Sequence, residues 1–156
     1  MNSPITDRET WEKARIDLLN KEKALSKATE ELAATRRALP KYPITTPYRF
    51  QSTEGEVTLS ELFAKRSQLI VQHFMLAPGA AAGCPMCSFW ADGYNPMIVH
   101  MNQRDISFVA VSRAPIHEIE AYRTRMGWSF TWVSSAETSF NRDFVVYPSE
   151  EAIAAG

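Results

Sequence analysis

Cysteine is scarce in this sequence of 156 residues: only Cys84 and Cys87 occur, at a CxxC spacing. That excludes a disulfide-rich small domain and any zinc module built on four cysteines. An excess of one charge is missing too, since 17 Lys and Arg stand against 18 Asp and Glu for a formal net charge of -1. No broad field for nucleic acid follows. Apolar runs long enough to cross a bilayer are absent, and residues 1–7 lack the basic and apolar regions of a secretory signal. The expectation is therefore a cytoplasmic chain with neither a membrane nor a nucleic-acid partner. Walker loop, dinucleotide fingerprint and serine nucleophile elbow are likewise missing, and no cofactor is implied. What is present is one ordinary domain's length of chain, with 45% hydrophobic and 22% charged residues, which suits a single buried core.

From Asp7 to Leu39 there is no Gly or Pro, and Trp11, Leu18, Leu25, Leu32 and Leu39 recur every seven residues. This predicts one long N-terminal helix within residues 1–40. Its other stripe positions, Ala14, Lys21, Ala28 and Thr35, are too small or polar for a strong coiled coil, so packing on its own domain or a dimer partner is expected. Pro40, Pro43 and Pro47 then mark a linker, and a second region, 41–156, carries the rest.

In that region Tyr48–Ser52 and Glu56–Leu59 flank Thr53-Glu54-Gly55 as a hairpin, and Ser60 caps a short helix through Ala64. Leu69–Leu76 is a nearly unbroken apolar run ending before Pro78 and Gly79, the pattern of a parallel strand covered on both faces. Ile106–Val111 repeats it. Between them Trp90, Tyr94, Met97, Ile98 and Met101 fall at helical spacing, predicting a helix over Ser88–Asn102 kinked at Pro96. Strand, helix and strand imply a right-handed crossover. Pro115 opens a second helix that Gly127 terminates, Phe130–Val133 is a third strand, Phe144–Tyr147 a further candidate, and Ser149–Gly156 a stub of helix. The architecture predicted is α/β.

Gly83-Cys84-Pro85-Met86-Cys87 lies between the end of a strand and the start of a helix. Unpaired amides and the helix dipole there favour an anion and lower a thiol pKa. Cys84 is the expected nucleophile and Cys87 the resolving thiol, with Pro85 restricting the loop between them. Ligands in open α/β sheets gather beyond the carboxyl ends of strands, which brings Arg113, after the second apolar strand, near the thiolate; capping a surface carbonyl or pairing with a carboxylate is its equal alternative. Ser134 and Ser135 either line the same crevice or serve as turn residues. Zinc is the sharpest rival, but His73, His100 and His117 show no paired metal spacing, so no metal site is expected. Trp90, Trp128 and Trp132 read as core aromatics first and a substrate-facing surface second, and Asp92 as a solvated charge without an obvious partner.

Three ordered segments together carry a resemblance: Gly83–Gly93, Phe108–Pro115 and Arg125-Met126-Gly127-Trp128. They are similar to the bacterial thioredoxin-like proteins of the domain of unknown function 899 family, described as predicted dithiol-disulfide oxidoreductases, over the stretch from the Trp11 helix to about Phe144. The resemblance implies a thioredoxin or peroxiredoxin-like sheet with flanking helices and Cys84 and Cys87 in the redox position, acting on a thiol or disulfide partner. It supplies no substrate, and no peroxidatic Thr-x-x-Cys pattern is present. Such a sheet normally finishes with a β-hairpin and helix, with a cis-proline facing the CxxC loop. Here Pro148 follows the last strand candidate instead of preceding it, so the resemblance implies a shortened member with an open sheet edge. A homodimer covering that edge, by the sheet, the long helix or both, is the expectation.

Overall fold

The computed structural model describes residues 4–146. Two compact units divide the chain, residues 1–45 and 46–156. The first is a single helix, α1 (Arg8–Arg37), as the seven-residue spacing predicts; Asp7 caps it by accepting the Thr10 amide at 2.9 Å, and Arg36 and Arg37 stand at its carboxyl end. No residue of α1 is buried, and Trp11, Leu18, Leu25 and Leu32 lie exposed along it.

The second unit is a five-stranded mixed sheet. Its elements are β1 (Arg49–Ser52), β2 (Gly55–Thr58), β3 (Gln68–His73), α2 (Pro85–Tyr94), α3 (Ile98–Asn102), β4 (Ile106–Ser112), α4 (Ile116–Met126), β5 (Thr131–Ser134) and α5 (Phe140–Asp143). The strand order is β2-β1-β5-β4-β3. Strands β3, β4 and β5 are parallel, joined by the two helical crossovers that the sequence predicts, and the β1–β2 hairpin adds on antiparallel to β5. A single 3-10 turn over Glu61–Phe63 replaces the short helix expected after Ser60.

Two cores sandwich the sheet. One face carries Phe74, Leu76, Ala91, Phe108, Ile119, Tyr122, Trp128, Phe130 and Trp132 under α2 and α4. The opposite face carries Tyr48, Phe50, Leu62, Val109, Val111, Val133 and Phe140. Alternation along β4 feeds both cores, Phe108 and Ala110 to one and Val109 and Val111 to the other, which is why that strand is apolar throughout.

Three expectations change. The Leu69–Leu76 run is not covered on both faces: β3 is the edge of the sheet, half-exposed, with Ile70 at 43% exposure. The cysteine loop therefore follows an edge strand. The helix expected over Ser88–Asn102 begins three residues earlier, at Pro85, and breaks into α2, a 3-10 turn at Asn95–Met97 and α3, because Pro96 withholds an amide. Phe144 and Val145 form a turn after α5 and Val146 lies outside any strand, so 144–146 add nothing to the sheet; Tyr147, Pro148 and the stub over Ser149–Gly156 lie outside the described residues. Among the described residues no strand follows β5 and no peptide bond is cis.

Candidate redox site

Strand β3 ends at His73, and the chain then turns back on itself before α2. Phe74 keeps one last bond into the sheet, its amide donating to Val111 O at 2.9 Å, and Met75 O accepts the Cys84 amide at 2.9 Å. The intervening loop is fixed at its tip, where the Gly79 amide donates to Glu118 Oε2 of α4 at 2.9 Å in a left-handed turn that suits glycine. It is fixed at its return by Gly83, where a Cβ would run into the rings of Phe74 and Tyr122. Only glycine lets the backbone pass so close to that core.

Cys84 is the N-cap of α2, with extended backbone at ψ 130°, and Pro85 occupies the first helical position, where its missing amide costs nothing. Ser88 closes the first turn: its amide donates to Cys84 O at 3.0 Å, and its hydroxyl reaches the same carbonyl at 3.1 Å while bonding Tyr122 Oη at 2.9 Å. The cysteine end of α2 is thereby tied to α4.

The two thiols are free and differ in environment. Cys84 is half-buried and Cys87 is buried at 9% exposure. The Cys87 amide, followed by the Met86 amide and the Cys87 thiol, holds the Cys84 thiol below its ordinary range, against a smaller opposing effect of desolvation. Burial pushes the Cys87 thiol up, and the neighbouring Cys84 adds to that rise while the Met75 amide opposes it. The pair is thus asymmetric in the sense the helix terminus predicts: a half-buried sulfur held below its ordinary range stands one turn before a buried sulfur pushed above it.

Arg113 is exposed immediately beyond β4, at the carboxyl edge that also holds the cysteine loop. Ser134 and Ser135 are buried, not lining a crevice: Ser134 Oγ donates to Ala114 O at 2.7 Å, and Ser135 Oγ donates to Ser112 O at 3.0 Å. Ser112, a residue to which the sequence reading gave no part beyond its place in the motif, donates to Phe74 O at 2.7 Å and accepts the Trp132 indole N–H at 2.9 Å, clamping the ends of β3, β4 and β5 together. His73 packs on the opposite face, stacked on Phe140 with its Nδ1 bonded to Asn141 Oδ1 at 3.1 Å. Among the described residues no three His, Cys, Asp or Glu side chains converge as ligands.

Two further readings are corrected. Trp90 is not a core aromatic: it is 60% exposed, beside Phe89 at 68% and Met86 at 61% on the same helix as the thiols, so α2 presents an apolar surface next to Cys84. Asp92 does have a partner, since its Oδ1 accepts the Trp128 indole N–H at 2.8 Å, fastening α2 to the segment after α4. Those residues lie 36 apart in the chain and no local pattern links them. A cleft of about 380 Å³ between the β1–β2 hairpin, β5 and α4 contains neither cysteine, so cavity volume does not mark the thiol chemistry. Among the described residues no helix is long and apolar enough to cross a membrane.

A family model described as a bacterial protein of unknown function (DUF899) matches residues 1–156. No curated protein matches the chain. Among solved structures, a cysteine-to-serine mutant of Xylella fastidiosa PrxQ superposes with a TM-score of 0.53 at 16% identity, over 72% of this chain and 71% of that one. A solution structure from Bacteroides thetaiotaomicron, described as "a putative protein disulfide isomerase", gives a TM-score of 0.44 at 16% identity over 63% and 59% of the two chains. The fold is of the thioredoxin/peroxiredoxin type, preceded by a long helix.

Proposed function

This chain belongs to the DUF899 family of bacterial proteins, and from that premise we propose that it exchanges thiols and disulfides through Cys84 and Cys87. The observation that carries the reading is the asymmetry of the pair: the half-buried N-cap sulfur is held below the ordinary thiol range and the buried one is pushed above it. In the first step the Cys84 thiolate attacks one sulfur of a substrate disulfide. A Cys84–substrate bond forms, the substrate S–S bond breaks, and the departing thiolate takes a proton from water. Cys87 then loses its proton and attacks Cys84 Sγ, forming the internal disulfide and releasing the second substrate thiol. The substrate gains two electrons and the CxxC pair loses two; a dithiol reductant returns them. Pro85 stiffens the loop between the sulfurs, and Arg113 contributes a permanent charge at the same sheet edge.

A second reading is favoured by the exposed apolar side chains of α1, Trp11, Leu18, Leu25 and Leu32, and, just beyond it, Leu39: the fold is kept for binding a partner through that helix, without catalysis. Trapping separates the two. Cys87→Ser incubated with a mixed-disulfide-forming substrate accumulates adducts at Cys84 under non-reducing electrophoresis, whereas Cys84→Ser accumulates none. Equal adducts at both positions defeat the assigned roles, and absence of dithiothreitol-driven turnover of small and protein disulfides in any redox buffer favours the binding reading.

A further inference from the structure

Resting on the exchange reading above, a further inference concerns the resolving step. Cys87, Ala91 and Tyr94 stand four and three residues apart on α2, so all three share one face of the helix. That face turns into the aromatic core: Cys87 and Ala91 are buried, and the Tyr94 ring packs on Phe108 and Phe130 with centroids 4.3 and 5.3 Å away. Long helical side chains lean back over the preceding turn, which carries Tyr94 over Ala91 toward Cys87. Alanine, the smallest side chain, leaves that path open. The other polar hydrogens around this core are committed elsewhere. Trp128 Nε1 donates to Asp92 at 2.8 Å, Trp132 Nε1 donates to Ser112 at 2.9 Å, and Tyr122 Oη bonds Ser88 at 2.9 Å. Tyr94 Oη is cut off from solvent and has no hydrogen-bond partner among the described residues. A buried hydroxyl left unpaired is costly, and Phe in its place would remove the cost without changing the packing.

We propose that the Tyr94 hydroxyl is held in reserve as a donor to the Cys87 thiolate, the anion that exists only while the mixed disulfide at Cys84 is being resolved. In the resting dithiol Cys87 keeps its proton, held there by burial first and by Cys84 beside it. Once Cys84 is bonded to substrate its charge is gone, and the Cys87 proton leaves to a base in solvent. The sulfur left behind is an anion in an apolar core, where one oriented O–H counts for more than it does in water. Tyr94 keeps its own proton throughout: burial pushes the phenol above its ordinary range, and Cys87 adds to the rise. When Cys87 Sγ bonds Cys84 Sγ the substrate thiolate departs, and the hydroxyl is released with the anion it served. The other titratable side chains in this core are Cys84 and Tyr122, and among the described residues no Lys, Arg, His, Asp or Glu belongs to it. Charges touch only its rim, Arg125 at 4.7 Å over the Tyr122 ring and Asp92 on the Trp128 indole.

Tyr94→Phe keeps the ring and removes the hydroxyl. One equivalent of a chromogenic aromatic disulfide, mixed with the reduced full chain, releases one thiolate as Cys84 attacks and a second as Cys87 resolves. The expected result is an unchanged first phase and a second phase slowed roughly tenfold or more, the worth of one hydrogen bond to a charged group. The midpoint of the second phase against pH is expected to move upward, since the lost donor favoured the thiolate. Urea unfolding is expected to show equal or greater stability, because an unpaired hydroxyl has left the core. A second phase that matches the wild type overturns the proposal. So does a slowing of both phases together with lost stability, which marks a structural hydroxyl. A wild-type chain that releases no second thiolate defeats the exchange reading itself. Alkylation of Cys87 against pH in Cys84→Ser, with and without Tyr94→Phe, then decides the donor: an upward midpoint upholds it and an unmoved one overturns it.

Discussion

Strands β3 and β4 look alike in sequence and lead opposite lives. Ile70 of β3 and Phe108 of β4 are direct partners in the parallel register, yet Ile70 is 43% exposed and Phe108 only 8%. The difference lies in what stands beyond each strand. Strand β4 has a neighbour on both sides and feeds both cores, whereas among the described residues β3 has β4 on one side only. Each strand also delivers something different past its carboxyl end, β3 the cysteine loop and β4 Arg113. Apolar composition therefore measures whether a residue is compatible with burial, not whether it is buried.

The largest expected effect contrasts the two partners directly. Phe108→Ala removes a ring that packs against Tyr94 and Phe130 and is expected to cost about 3–5 kcal/mol of unfolding free energy. Ile70→Ala, at the exposed partner, is expected to cost about 1 kcal/mol or less in the monomer. Urea unfolding of both at a concentration where the chain is monomeric checks this; equal losses would mean that β3 is as enclosed as β4.

Smaller is the effect expected at the ends of the strands. Where the charge beyond β4 reaches the thiolate beyond β3, Arg113→Met raises the midpoint of Cys84 alkylation against pH. Solvent and salt screen an exposed charge, which keeps this below the contribution of the helix amides. An unchanged midpoint assigns Arg113 to the surface and leaves the helix amides and the Cys87 thiol as the cause.

The smallest concerns His73, the last residue of β3, whose pKa burial holds below its ordinary 6.5 against a weaker upward pull from Asn141. The unfolded chain binds a proton near pH 6.5 and the folded chain does not until lower pH, so the unfolded state holds more protons in that window. Stability is present in full above the ordinary value and falls as pH drops toward the lowered one. Denaturation curves between pH 7 and 5 are expected to flatten in His73→Gln; an unaltered slope would place the acid sensitivity elsewhere.

The elements were legible where their signals are local. The seven-residue spacing from Trp11 located α1, Pro115 and Gly127 bracketed α4, and the Gly83–Cys87 segment located the helix terminus that sets the two thiols apart. Edge or interior position was not legible for β3, because it depends on strands far away in the chain. The same reason hid the partner of Asp92: Trp90 has the helical spacing of a core residue, but Trp128, from another element, fills the core and takes the hydrogen bond. Ser112 looked like a strand-end residue and proved to be a clamp because three strand ends happen to meet there.

Gly83 has a consequence for how such a chain can change over generations. A side chain at that position would meet the rings of Phe74 and Tyr122, and both rings belong to the core beneath the cysteine helix. A mutation at 83 is therefore open only to a lineage that has already trimmed Phe74, with Tyr122 left to give by a few tenths of an ångström. Such a lineage would carry a cavity beside the cysteine loop until the second change arrived. The order of substitutions is fixed by the space available, and the three positions are expected to drift together or not at all.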